Sequence, residues 1–347
     1  MQLNDFSYAL PEELIAQHPC PQRGASRMMT LNRLEKKIGD SRFSCLPDFI
    51  EPGDVLVVND SRVIPARLYG KKDTGAILEI LLLTRVERNH DETETWEVLA
   101  RPGKRVAEND IIDLGGGGRA RVLEKLTEKK WRMVFSAPGG FERHLEEFGH
   151  APLPPYIKRK KSVGADTTND KERYQTLYAN KPGSIAAPTA GLHFSEEVLN
   201  AIRDKGASIA PVTLHVGIGT FMPIETQTVE HHVMESEHFE ISAATADLIN
   251  NAKRVIAVGT TSTRTLEAAC DENGHIRPQT GETRLFIYPG YRFKRVDALL
   301  TNFHLPASSL FLLVSAFAGT DFTRQAYAQA VDKRYLFYSY GDCMLIL

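Results

Sequence analysis

The texture of the chain changes twice along its length, and that change limits the fold more than any single motif does. An apolar run, Asp54-Val-Leu-Val-Val58, ends in the polar turn Asn59-Asp60-Ser61-Arg62. Consecutive apolar positions closed by a polar turn predict a strand buried on both faces. From about Ala66 to Ser136 the pattern is different. Short strand-like runs follow one another without helices: Ala76–Leu83, Thr95–Ala100, Asp110–Leu114, Ala120–Leu126 and Trp131–Phe135. They are broken at Arg101-Pro-Gly-Lys104 and Gly115–Gly118. Strands so spaced predict a small barrel or sandwich.

A proline-rich junction, Ala151-Pro-Leu-Pro-Pro-Tyr156, leads into the basic run Ile157-Lys-Arg-Lys-Lys161. Beyond Tyr174 strands and helices alternate. Ser195 reads as an N-cap, with Glu196 and Glu197 in the first turn and Gly206 past the end. Strands are expected at Ile209–Val216, Val255–Val258, Thr283–Tyr288 and Ala298–Thr301, and helices at Ala243–Lys253, Arg264–Cys270, Ser308–Ala318 and Phe322–Lys333. Alternation of this kind predicts an α/β fold, a mostly parallel sheet covered by helices. If the strand at Asp54 joins that sheet, residues 61–151 form an inserted β-barrel domain, and residues 1–60 and 152–347 form the α/β catalytic domain.

The composition fits a chain with two cores. It has 347 residues, 42% of them hydrophobic and 25% charged, and a formal net charge of −2. Contact with nucleic acid must then come from local basic patches on a near-neutral body. Cysteines at 20, 45, 270 and 343 form no C-x-x-C, which argues against zinc ribbons and disulfide frameworks. The polar start, MQLNDFSYALPEELIAQHP, has no apolar core of a signal peptide, and the longest apolar stretch, Leu310 to Ala318, is too short to span a bilayer. A cytoplasmic protein without membrane contact is expected.

Common nucleotide and hydrolase motifs are missing. There is no G-x-x-x-x-G-K-[ST] loop and no G-x-S-x-G elbow. Gly217-Ile-Gly219 opens like a dinucleotide fingerprint, but Met222 stands at the third glycine. His231, His232, Glu235 and His238 cluster, yet without H-E-x-x-H an ordinary polar or substrate-contacting role outweighs a metal.

Several polar turns fall where α/β proteins place their sites, at the carboxyl ends of strands. The first joins Asn59, Asp60 and Arg62 to Arg67; the alternative is a capped turn with a surface arginine. The second, Ala187-Pro-Thr-Ala-Gly-Leu-His-Phe194, carries Thr189, Gly191, His193 and Phe194. Its imidazole suits acid–base work near neutrality, although a hydrogen-bonded structural histidine is the commoner use. The third, Leu214-His-Val-Gly-Ile-Gly-Thr-Phe221, offers His215, compact glycines at 217 and 219, Thr220, and a Phe221 that either stacks on a base or packs in the core. The fourth, Gly259-Thr-Thr-Ser-Thr-Arg264, sets Thr260, Thr261 and Arg264 at a strand-to-helix turn suited to a carboxylate or phosphate, or simply to capping. Glu282, Tyr291, Asn302, His304 and Asp342 lie in further turns that together predict a composite pocket.

The tracts LPEELIAQHP, PGDVLVVNDSRVIPARL, LPPYIKR, AAPTAGLHF, TLHVGIGTF, VIAVGTTSTRTLE, GETRLFIYPGYRF, DALLTNFHLP and YSYGD cover essentially the whole chain. On these the sequence resembles the S-adenosylmethionine:tRNA ribosyltransferase-isomerase family of queuosine synthesis. The resemblance implies an α/β domain with an inserted β-barrel. It also implies transfer and isomerisation of the ribosyl group of S-adenosylmethionine onto 7-aminomethyl-7-deazaguanine at the tRNA wobble position. Epoxyqueuosine-tRNA, adenine and methionine would result. S-adenosylmethionine is then a consumed substrate, no cofactor or metal is needed, and a monomer is expected.

That chemistry sets the expected roles. The sulfonium acidifies the neighbouring C5′ hydrogens, so a base is needed; His193 and His215, with Glu282 behind them, are the candidates. Thr260 and Thr261 are expected to hold the methionyl carboxylate, Asn302 and His304 the ribose hydroxyls, and Asp60 or Asp342 the sulfonium or the acceptor amine. Phe194, Phe221 or Tyr291 would receive an unstacked base. Arg101, Lys104, Arg105, Lys158, Arg159, Lys160 and Lys161 are the candidates for tRNA phosphates. Two rivals remain: an S-adenosylmethionine-dependent RNA methyltransferase, which would release S-adenosylhomocysteine, and a tRNA-binding module without catalysis.

Overall fold

The computed structural model describes residues 1–89, 92–159, 168–217, 219 and 224–347. The candidates Thr220, Phe221, Lys160 and Lys161 lie outside the described residues.

The chain opens with a hairpin, β1 (Arg27–Asn32) and β2 (Lys37–Arg42), followed by β3 (Asp54–Asn59), buried at every position. A short β4 (Ser61–Val63) precedes six strands: β5 (Arg67–Lys72), β6 (Ile77–Arg88), β7 (Glu94–Arg101), β8 (Ile111–Gly115), β9 (Gly118–Lys125) and β10 (Lys130–Ser136). Helices α1 (Phe141–Phe148) and α2 (Thr168–Arg173) lead to β11 (Lys181–Ser184), α3 (Glu196–Asp204) and β12 (Ser208–Leu214). Then follow β13 (Glu237–Ile241), α4 (Ala243–Asn250), β14 (Arg254–Val258), α5 (Gly259–Ala269), β15 (Gln279–Thr283) and β16 (Ala298–Asn302). Helices α6 (Ser309–Ala318) and α7 (Thr320–Asp332) and the strand β17 (Cys343–Ile346) end the chain.

The fold is α/β with an inserted barrel. A nine-stranded sheet runs β15-β13-β12-β3-β14-β16-β17-β1-β2, and β10-β7-β6-β5-β8-β9 close into a barrel. The sheet is mixed. Its centre, β12-β3-β14-β16, is parallel, as is β17-β1, whereas β16-β17, β1-β2, β12-β13 and β13-β15 are antiparallel. The strand at Asp54 is the middle of the parallel centre, so the chain leaves this sheet, builds the barrel and returns. Apolar clusters cover both faces of the sheet, one including Val55, Val57, Leu266 and Phe311, the other Leu56, Val58, Phe194 and Ile256. The alternation along β3 sends neighbours to opposite faces, which is why the strand reads as continuously apolar.

The barrel has its own core. Burial alternates along β8, β9 and β10, as a strand with one face inward requires. Inward residues such as Ile80, Val98, Ile112, Val122 and Met133 meet inside. Helix α1 packs on this core, with Phe141 stacked on Phe135 at 4.6 Å between ring centroids.

Three departures from the sequence expectation have physical causes. Strand β5 was not anticipated because Gly70 and two lysines dilute its apolar pattern; a Cβ at Gly70 would stand 2.4 Å from Ile112, so the crossing with β8 requires glycine there. Helix α5 starts at Gly259, not Arg264, because Gly259 at φ +88° takes the chain from strand to helix in one residue. The strand expected at Thr283–Tyr288 stops at Thr283, whose hydroxyl accepts the amide of Leu285 at 3.1 Å and turns the chain. Leu285, Phe286 and Tyr288 then pack on the core without pairing.

Candidate active site

The parallel strands β14 and β16 end on one side of the sheet, and a cleft opens at their carboxyl ends. It is lined by Thr189 and Ala190 from the turn after β11, Val216 after β12, Gly259, Thr260 and Thr261 at the start of α5, Thr301, Asn302 and His304 after β16, and Tyr156, Tyr338 and Ser339. The location follows from topology: parallel strands deliver their following loops to one edge, and helices begin there.

The floor is the N-terminus of α5. Its first-turn amides lack intrahelical partners and carry partial positive charge. The Thr261 hydroxyl is buried without a partner beside them. Helix and hydroxyl together suit an anionic group.

Asn302 and His304 form one wall. The Asn302 side-chain amide donates to the Tyr338 carbonyl at 2.9 Å, and its Oδ1 is buried. Nε2 of His304 lies 2.9 Å from the Thr301 hydroxyl, and the His304 amide donates to the Tyr327 hydroxyl at 3.1 Å. Burial pushes the His304 pKa down to about 3, so its imidazole is neutral at pH 7. Tyr338 holds φ +76°, a conformation that costs a non-glycine residue about 1–3 kcal/mol and that clusters at functional sites.

His193 sits behind this wall, almost fully buried, with its ring stacked on Phe43. Nδ1 is 2.8 Å from the Ser26 hydroxyl. Burial lowers its pKa to about 4, partly offset by the Asn302 side chain, while its Nε2 is buried without a hydrogen-bond partner.

The other expected residues fall elsewhere. His215 turns away from the cleft that Val216 lines; its ring stacks on His238 at 6.1 Å, and burial, then His238, lower its pKa. Glu282 is exposed on the edge strand β15 and accepts from Ser236 at 2.7 Å. Asp60 accepts from the Thr213 hydroxyl at 2.6 Å, and Asn59 ties β3 to β12 through the Leu214 amide and carbonyl. Arg62 is exposed on β4, and Arg67 donates to the Leu153 carbonyl at 2.7 Å where barrel and sheet meet. Gly191 is buried against Tyr178, Gly217 donates its amide to Glu237 at 3.1 Å, and Gly219 lies beside Glu235.

Several expected contacts are taken up within the fold. Phe194 is wholly buried, packed edge-on against Phe43, so it cannot receive a base. Tyr291 donates to Glu267 on α5 at 3.2 Å, away from the cleft lining. Arg264 is buried in an ion pair with Glu237 and donates to the Leu285 carbonyl at 3.0 Å. Both oxygens of Asp342 hold backbone amides, of Arg27 and Leu336, at 2.8 Å each, and burial raises its pKa. Lys158 pairs with Glu12, and Arg159 makes a two-point pair with Asp170 at 2.7 and 2.9 Å. Arg101, Lys104 and Arg105 are exposed at the barrel's β7–β8 connection.

Sequence reasoning missed Ser26, Tyr156, Tyr338 and Ser339. Tyr156 and Tyr338 meet edge to face at the cleft, and the Tyr156 hydroxyl bonds to Ser339. Tyr156 ends a stretch that reads as a proline-rich junction and Tyr338 opens the turn that carries Asp342, but nothing local says that residues so far apart in the chain share a wall. Among the described residues, no group of three or more His, Cys, Asp or Glu side chains gathers to hold a metal, and no helix is long and apolar enough to cross a membrane.

Comparison with known proteins fits this architecture. The family described as queuosine biosynthesis protein matches residues 3–346. The S-adenosylmethionine:tRNA ribosyltransferase-isomerase of Syntrophus aciditrophicus is 55% identical, covering 100% of both chains, and that of Syntrophotalea carbinolica is 49% identical over the same shares. The crystal structure of an S-adenosylmethionine tRNA ribosyltransferase from Thermotoga maritima superimposes with a TM-score of 0.54 at 37% identity, covering 99% of this chain and 100% of the other. The chain belongs to the S-adenosylmethionine:tRNA ribosyltransferase-isomerase family.

Proposed function

We propose that this enzyme transfers and isomerises the ribosyl moiety of S-adenosylmethionine onto 7-aminomethyl-7-deazaguanine at the tRNA wobble position. The products are epoxyqueuosine-tRNA, adenine and methionine. Family membership supports the reaction class. The observation that carries the assignment of the site is the cleft itself, which combines a helix N-terminus bearing the free Thr261 hydroxyl with the polar wall of Asn302 and His304.

The methionyl carboxylate binds at the start of α5, where amides and the Thr260 and Thr261 hydroxyls meet its charge. Asn302 and His304 contact the ribose. His304 is the histidine on the cleft wall, and its neutral imidazole is the form that accepts a proton. We therefore assign it the C5′ proton, in place of His215 and Glu282, which face other surroundings. Removing that proton leaves carbon able to rearrange, adenine departs, the acceptor amine bonds to the sugar carbon, and methionine leaves as the epoxide closes. A carboxylate bound nearby raises the proton affinity of an imidazole, moving His304 toward that task.

We place the inserted unit at residues 61–151 and propose that its exposed Arg101, Lys104 and Arg105 meet tRNA phosphates. Lys158 and Arg159 contribute less, because each already faces a carboxylate.

Mass spectrometry of the reaction of S-adenosylmethionine with tRNA bearing 7-aminomethyl-7-deazaguanine tests the reading. Free adenine and methionine with an epoxycyclopentanediol on the tRNA base are expected. S-adenosylhomocysteine in their place would make the enzyme a methyltransferase and end this assignment.

A further inference from the structure

His304 stands in the turn after β16, and hydroxyls from three parts of the chain hold its polar atoms. Its amide donates to the Tyr327 hydroxyl on α7 at 3.1 Å, and its carbonyl accepts from the Tyr8 hydroxyl of the N-terminal segment. Nε2 of the ring lies 2.9 Å from the hydroxyl of Thr301 on β16. These hydroxyls are themselves fixed. Thr301 and Tyr327 are buried, and the Tyr8 ring packs on Tyr327 and Phe311 with centroids 5.2 and 5.3 Å away. One polar atom of His304 is left over. Nδ1 has no partner among the described residues, yet it is not one of the atoms sealed from solvent without one. A polar atom so placed takes its partner from the space it faces, and the space that His304 lines is the cleft.

We propose that Thr301 is a positioning residue which, on a backbone held by Tyr8 and Tyr327, turns the His304 ring so that Nδ1 is the nitrogen that meets the substrate. The two tyrosines fix the backbone of His304 on either side of its Cα. The Thr301 hydroxyl then fixes the rotation of the ring, because a half-turn would set a carbon against that hydroxyl and lose the bond. On the proposed reaction, the C5′ proton passes to Nδ1 while its electron pair stays on the carbon beside the sulfonium. The imidazolium so formed also carries a proton on Nε2. A hydroxyl can accept as well as donate, so Thr301 receives that proton in a hydrogen bond without any movement of the ring.

The inference rests on the proposed reaction for the proton step but not for the choice of nitrogen, which substrate binding reads by itself. Asparagine places a polar atom where Nδ1 stands, and glutamine places one where Nε2 stands. Calorimetric binding of S-adenosylmethionine to the full chain should weaken by no more than about twofold in His304→Asn but by roughly five- to tenfold in His304→Gln. Thr301→Val should weaken binding by about fivefold, and Thr301→Ser should restore it. In the His304→Asn background, which has no Nε2 for Thr301 to hold, Thr301→Val should have no further effect. Equal losses in the two His304 variants, or tighter binding in the glutamine one, would overturn the assignment of Nδ1. A Thr301→Val effect of the same size in the His304→Asn background would overturn the positioning role, since Thr301 would then contact the substrate directly. If the wild type bound S-adenosylmethionine but released no adenine, the proposed reaction would fail while the order of the variants still judged the nitrogen.

Discussion

The barrel and the sheet are built from the same kinds of residue but close in different ways. The barrel joins its strands through antiparallel ladders, most of them between neighbours in the chain, and turns its apolar side chains inward. Helix α1 packs against that core through Phe141 and Leu145. The sheet has a parallel centre, which sends the turns after β14 and β16 to one edge together with the first turn of α5. Closure pairs each barrel strand on both sides, which leaves no strand edge open. Parallel pairing gives the sheet a place where a helix terminus, a histidine and an asparagine meet. The chemistry follows the connectivity.

The comparison is broken most severely in the cleft. His304→Gln should reduce kcat for adenine release by roughly 10²–10⁴-fold while leaving barrel stability unchanged. A rate near the wild type would remove His304 from the reaction. The barrel is tested by Phe135→Ala, which opens a void against Phe141 and should cost about 3–5 kcal/mol in denaturant unfolding. A loss below about 1 kcal/mol would mean that α1 does not support the barrel core.

The pH dependence bears on both regions: among the described residues three histidines are buried, His193 and His304 in the sheet domain and His144 on α1, and burial lowers the pKa of each. The native pKa values of His193 and His304 are depressed to about 4 and about 3 from 6.5. Below about pH 6.5 the unfolded chain takes up protons that the native protein refuses, so it binds more protons in this range and stability rises with pH. Unfolding free energy should therefore fall as pH drops from about 6.5 to about 4, by an amount on the order of a few kcal/mol. His193→Gln should flatten that slope; an unchanged slope would show that other groups set it. The smallest expected effect is at the surface of the sheet domain. Ser195→Ala removes the hydroxyl that accepts the Val198 amide at the start of α3 and should cost about 1 kcal/mol by thermal unfolding.

Much of this architecture could be read from residue pattern. The buried strand at Asp54, five of the barrel strands, the cap at Ser195 and the helix from Ser308 all depend on local periodicity and local capping, which a sequence displays. Strand β5 did not, because its glycine answers to Ile112 on another strand. The cleft was legible in part. Thr260, Thr261, Asn302 and His304 sit in turns whose place after apolar strands marked them. Phe194, Arg264 and Asp342 stand in equally suggestive turns, yet they are engaged by Phe43, Glu237 and the amides of Arg27 and Leu336. Those partners come from distant parts of the chain, so no local pattern separates them from residues that face the cleft. Ser26 was invisible for the same reason.

The central claim is that S-adenosylmethionine binds in the sheet's cleft and not on the barrel. Hydrogen exchange of the full chain with and without S-adenosylmethionine tests it most directly. Protection is expected in segments 187–193, 259–264, 301–304 and 338–339, with strands of the barrel between 67 and 136 unchanged. Protection confined to the barrel, with the cleft segments exchanging as in the free protein, would contradict the account.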